Sequence, residues 1–209
     1  MSKCKWQLVV LGVLGASVGI GWAGPARTIE RFSQRGVIVD PRTFFTAAGT
    51  AEAGAQPGSR ALVTEVGVYA FMETPENEER LKGTEPGSVV RVAGRLLKEG
   101  ALVYIDTLEL QTTVPFIDFA RFRGDGGEPV SLKGVNKCQC GLEVGELPRS
   151  CALGHLHHLE GADGAIYHYL RHPQGEQLFL GQGYHFESVA VRALLLPGNY
   201  LLVQDAKVE

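Results

Sequence analysis

The sequence predicts an all-β protein of two tandem modules with short helical turns, carried behind an apolar N-terminal leader helix. Three observations predict it. Val89 to Leu97 alternates apolar and polar residues with the period of a strand that has one wet face. The 27 glycines are spread along the chain, which suits many turns between short strands better than a helical bundle. The pattern of residues 68 to 100 also recurs 98 positions later.

The leader comes first. Residues 1–26 open with Lys3 and Lys5, run through an apolar stretch from Leu8 to Ala23, and close on small residues at Gly21-Trp22-Ala23 or Gly24-Pro25-Ala26. A basic start, an apolar middle and a small-x-small exit are the parts of a secretory signal peptide. The stretch is also close to the roughly 20 apolar residues that span a bilayer, so a retained membrane anchor is the alternative. Cys4 precedes the apolar stretch and follows no lipobox-like sequence, so nothing points to lipidation there. Export implies a periplasmic or secreted protein in an oxidising compartment. Cleavage after Ala26 leaves 18 Lys and Arg against 23 Asp and Glu, a net charge of −5. Phosphate-backbone binding relies on clustered Lys and Arg, so nucleic acid is not an expected partner.

After the leader, residues 27–35 read as a short polar helix or an extended lead-in, and Val37-Ile38-Val39 as the start of a strand. Residues 46–59 are small and Gly-rich, without a periodicity that would bury a face, and read as a loop or a short Ala-based helix. Residues 61–72 are rich in β-branched and aromatic types and read as strand, ended by a turn at residues 74–77. Glu78 to Leu81 allows one helical turn. The alternating strand from Val89 then turns at Glu99-Gly100 and returns as Ala101 to Leu110. Residues 111–130 read as a linker. Within it Phe116, Phe119 and Phe122 suggest a short helix whose aromatic stripe packs into core. The Arg123-Gly124-Asp125 triplet that ends it reads as a solvated turn. The modules are therefore expected at 27–110 and 131–209.

The repeat joins the two. At a spacing of 98, Tyr69 aligns with Tyr167, Pro75 with Pro173, Glu78 with Glu176, Gly83 with Gly181, Leu96 with Leu194, Leu97 with Leu195 and Gly100 with Gly198. Between Ser188 and Leu195, however, the apolar residues Val189, Val191 and Ala193 fall opposite Arg91, Ala93 and Arg95. A one-residue slip exchanges the faces of a strand, so a common core requires a spacing of 99 there. One extra residue before Ser188 and a shorter turn at Pro197-Gly198-Asn199 would supply it.

Val90 to Gly100 with Leu102 to Glu109 carries the pattern V-x-V-x-G-x-L-x-x-x-G followed by an extended strand, and Val189 to Gly198 with Tyr200 to Lys207 carries a looser version. This resembles small exported bacterial proteins with oligonucleotide/oligosaccharide-binding (OB) folds. The second half is similar to Cys-containing members, through Cys138, Cys140, Cys151 and then Asp163-Gly164-Ala165-Ile166-Tyr167-His168-Tyr169. The resemblance implies two tandem small OB-like barrels and an exported location, without an activity.

The chemically pointed stretch is Cys138-Gln-Cys140 through Cys151 to His155-Leu-His157-His158, and all six histidines lie between 155 and 185. Residues two apart on an extended chain share a face, so Cys138 with Cys140, and His155 with His157, could each close on one ion while His158 points away. Thiolate with imidazole suits zinc or copper, giving Cys138, Cys140, Cys151, His155 and His157 as candidate ligands. A disulfide from Cys151 to Cys138 or Cys140 is the alternative, and three cysteines leave one over for a thiol, interchain or redox role. His168, His172 and His185 read as surface imidazoles, and His168 is expected in water if Tyr167 and Tyr169 are core. No GxSxG, HExxH or P-loop is present, and no enzyme is expected. The expected function is therefore an exported binding protein with a zinc or copper site in the C-terminal module. The alternative is a disulfide-stapled module that recruits a protein partner, and a membrane is involved only if the leader is retained.

Overall fold

The computed structural model describes residues 27–45, 60–123, 127–138, 156–170, 175, 177–178 and 184–209. The leader and the 46–59 segment lie outside them. Among the described residues no helix is long and apolar enough to cross a membrane. The protein is all-β. β1 (Ile29–Val39), α1 (Pro41–Phe45), β2 (Ala61–Thr64), β3 (Val68–Phe71), α2 (Pro75–Leu81), β4 (Val89–Leu97) and β5 (Leu102–Leu110) make the first half. After α3 (Phe119–Arg123) come β6 (Glu128–Cys138), β7 (His157–Gly161), β8 (Ile166–Tyr169), β9 (Ser188–Leu196) and β10 (Tyr200–Val208). Each half closes into a five-stranded barrel, in the orders β1-β2-β3-β5-β4 and β6-β7-β8-β10-β9, with β1 joined to β4 and β6 to β9. The two are tandem OB-like barrels.

Closure depends on a long first strand that serves two partners. β1 pairs with β4 along Ile29 to Val37 and with β2 from Gly36 to Val39. At the overlap a Cβ on Gly36 would stand 2.4 Å from the Val63 carbonyl oxygen, and one on Gly134, its equivalent in β6, 2.2 Å from that of Glu160. Only glycine lets the strands cross that closely.

Several elements differ from the sequence reading. Residues 29–35 take the extended alternative, because that stretch is the β4-pairing half of β1. Residues 61–72 form two strands, turned where the Thr64 hydroxyl accepts the amides of Val66 and Gly67. The helical turn expected at 78–81 begins earlier, at Pro75, because the Thr74 side chain caps it by accepting from the Asn77 amide. Buried Asn77 then closes the barrel end: its amide donates to the Met72 and Val103 carbonyls and its oxygen accepts from the Ile105 amide. The 111–130 segment holds the short helix expected within it, α3, and also the start of β6, which was not expected. The aromatic stripe is split: Phe122 is buried, whereas Phe116 lies outside the helix and is 88% exposed.

The register carries the inferred slip. Val90 and Val92 of β4 correspond to buried Val189 and Val191 of β9 at a spacing of 99, while β5 and β10 correspond at 98, and so do β1 and β6 by register, Gly36 opposing Val90 as Gly134 opposes Val189. The second hairpin turn is one residue shorter, and left-handed Ala101 and Asn199 occupy equivalent places in the two turns.

The barrel interiors hold Phe32, Ile38, Leu62, Val90, Val92 and Ile105 in one case and Leu159, Tyr169, Val189, Val191, Leu201 and Val203 in the other. A third cluster joins the barrels. The outer face of β2, β3 and β5 packs Ala61, Val63, Val68, Ala70, Leu102 and Tyr104 with Ile166, Leu170, Leu196 and Tyr200 of the second barrel. This explains why β2 is buried at every position. Repeat-equivalent residues exchange places across the contact. A Cβ on Gly100 would meet Ile166 at 3.0 Å, and one on Gly198 would meet the carbonyl oxygen of Val68, the equivalent of Ile166, at 2.7 Å. Arg27 adds a latch by pairing with Glu160, whose other carboxylate oxygen is held by Lys137 at 3.0 Å.

Candidate functional site

β6 and β7 pair from Gly134–Gly161 to Cys138–His157, which is the last rung of their ladder. Directly opposed residues share a face, so Cys138 and His157 project to the same side. That side also carries Asn136 and Leu159, and all four residues are buried. Asn136 ties the rung to the chain ahead of β9, donating to the carbonyls of Leu178 and Tyr184.

His157 is held from both ring nitrogens. Its Nδ1 lies 3.0 Å from the Leu178 carbonyl and its Nε2 lies 2.9 Å from Nδ1 of His185. A carbonyl only accepts, so Nδ1 carries a proton. In the neutral ring Nε2 is then the basic nitrogen, receiving the His185 Nδ1–H. A carbonyl that accepts from the far ring nitrogen and so sets the tautomer is the usual support of a metal-ligating histidine. His185 stacks edge-on against Phe186, with ring centroids 4.1 Å apart.

The opposite face of the same strands carries His158, as the alternation requires. It pairs in register with Lys137 on one side and His168 on the other. Both ring nitrogens of His158 are buried without a hydrogen-bond partner. Burial holds its imidazole well below the ordinary range, and the nearby His168, Arg27 and Lys137 add to the effect. His168 is not the wet residue expected. It does face away from Tyr169 and the barrel interior, but the first barrel covers that outer face. Its Nε2 donates to the Gly100 carbonyl at 2.6 Å and it is only 6% exposed. Burial lowers its pKa to about 4, against the raising influence of that hydrogen bond.

Of the sequence-derived ligands the structure brings Cys138 and His157 together. Cys140, Cys151 and His155, and also His172, lie outside the described residues. Among the described residues no group of three or more His, Cys, Asp or Glu side chains is placed to hold an ion. The residue that sequence reasoning missed is His185, assigned there to the surface. It lies 28 positions from its partner His157, and no periodicity links the two. Compared with protein-family models, curated proteins and solved structures, the chain matches none.

Proposed function

We propose that the chain is an exported binding protein, periplasmic or secreted, that holds a zinc or copper ion at the end of the β6–β7 ladder. Cys138 and His157 supply two ligands, and Cys140, Cys151 and His155 are the candidates for the rest. One observation carries the reading: a buried cysteine and a buried histidine stand directly opposite each other, the histidine already oriented by a backbone carbonyl. Cys140 and His155 are each two residues from that rung, so covalent geometry limits their Cα atoms to about 7 Å from those of Cys138 and His157. Thiolate with imidazole is a donor set that zinc and copper(I) both accept. An ion at His157 Nε2 would displace the His185 hydrogen bond and leave His185 as a neighbour or further ligand.

The test is elemental analysis of the untagged, full-length exported protein. The expected result is about one equivalent of zinc or copper per chain, lost in Cys140→Ser and kept in His172→Gln. Because ligation requires deprotonated thiols, affinity should fall with pH and binding should release protons. An intact disulfide to Cys151 with no bound metal would overturn the reading and leave a stapled protein-interaction module in its place.

A further inference from the structure

The first barrel carries an arrangement that its fold does not require. β1 and β4 set Arg31 directly opposite Arg95, and Arg35 directly opposite Arg91. Like charges facing each other across an antiparallel pair are destabilising. At the corresponding rungs the second barrel has Pro129 opposite Leu194 and Lys133 opposite Ala190, and it closes equally well. The arginine pairs therefore do not serve barrel closure.

Arg95 has partners, an ion pair with Asp106 at 3.0 Å and the Tyr104 ring at 4.6 Å. The other pair is differently placed. The Arg35 guanidinium is held by one hydrogen bond to the Thr113 carbonyl, and its Nε is buried without an acceptor. Arg91 has Glu109 as its β5 neighbour in register, but it forms no ion pair or hydrogen bond through its side chain among the described residues. Both line a groove of about 470 Å³ together with Ser33, Glu65, Val66 and Phe116. One wall is apolar and exposed, with Phe116 at 88% and Val66 at 60%.

We propose that this groove binds a phosphate monoester carried on an apolar group, the phosphate between Arg35 and Arg91 and the apolar part against Phe116 and Val66. Two permanently charged guanidiniums brought face to face are neutralised together by one dianion. The oxygens of a phosphate monoester can meet two planar forks at once. Ser33, on the same face of β1, adds a hydroxyl donor. Glu65 is the one carboxylate among the lining residues. It disfavours a long polyanion laid along the groove, while leaving a single phosphate at the arginine pair. Such a phosphate belongs either to a soluble ester or to a lipid headgroup.

The full-length chain is titrated calorimetrically with phenyl phosphate and with inorganic phosphate. In parallel it is sedimented with phosphatidylcholine vesicles with and without phosphatidic acid. Phenyl phosphate is expected to bind saturably and about tenfold more tightly than inorganic phosphate, through burial of the ring. Arg91→Ala, which installs the residue the second barrel has at this rung, should leave the melting temperature nearly unchanged and weaken both ligands by at least about tenfold. Phe116→Ala should remove the preference for the phenyl ester and leave inorganic phosphate binding intact. Arg91-dependent binding to phosphatidic acid alone would support the site and assign its phosphate to a lipid. The proposal is overturned by absence of saturable binding of either soluble phosphate up to about 10 mM together with no vesicle binding. It is equally overturned by binding that is the same in Arg91→Ala.

Discussion

Acidification should loosen this protein through His168, in a pH window that the structure sets. The imidazole is buried between the barrels against the Gly100 carbonyl, the Tyr200 ring and His158, and its pKa is about 4 in the folded state. In the unfolded chain the ordinary value of about 6.5 applies. A folded pKa below the unfolded one means that the unfolded state binds more protons between the two values. Stability is therefore complete above pH 6.5 and falls as the pH drops toward 4. The gap of about 2.5 pH units at about 1.36 kcal/mol each gives a total near 3 kcal/mol, of which about 2 is lost by pH 5. Urea denaturation of metal-stripped protein at pH 7.5, 6.5, 5.5 and 4.5 measures it. His168→Ala, matching Ala70 at the same place in the first barrel, isolates the contribution from carboxylates titrating in the same range. The variant loses the hydrogen bond to Gly100 at every pH, so the informative quantity is the slope of the difference between the two proteins. A difference that stays constant from pH 7.5 to 4.5 would refute the argument that His168 folds neutral.

Substitutions at two further positions test the packing. Asn77→Ala removes the acceptor of the Ile105 amide and the donor to the Met72 and Val103 carbonyls at a fully buried site. The expected loss is about 2–3 kcal/mol in chemical denaturation, with Asn77→Asp worse because its second oxygen would face those carbonyls. A loss below about 0.5 kcal/mol would show that Asn77 does not close the barrel end. Tyr200→Phe should raise stability by about 1 kcal/mol, read as a higher melting temperature. Its hydroxyl is buried without a partner in the cluster joining the barrels, and the ring packing is kept. A lower melting temperature would indicate a hydrogen bond to that hydroxyl.

The barrels were legible in the sequence to the extent that strands announce themselves locally. Val90 and Val92 alternate with Arg91 because one face of β4 meets the core and the other meets water, and the matching pattern at Val189 and Val191 exposed both the repeat and its one-residue slip. The opposed position of Cys138 and His157 was half legible: the sequence marked both residues, but the β6–β7 register made them partners. Where the burial of a face depends on something distant, the local pattern misled. His168 lies on the outer face of its barrel, and alternation alone puts such a residue in water. It is buried because Gly100, 68 positions earlier, is brought against it by the docking of one barrel on the other. His185 reaches His157, and Arg35 faces Arg91, through ladders and turns that join residues 28 and 56 positions apart. The alternating strands β4 and β9, the hairpin turns that follow them and their duplication were thus readable locally, since side-chain alternation and turn chemistry act over a few residues. Which histidines are dry, and which charges confront each other, follows instead from long-range packing. Those outcomes depend on which outer faces meet once each barrel has closed.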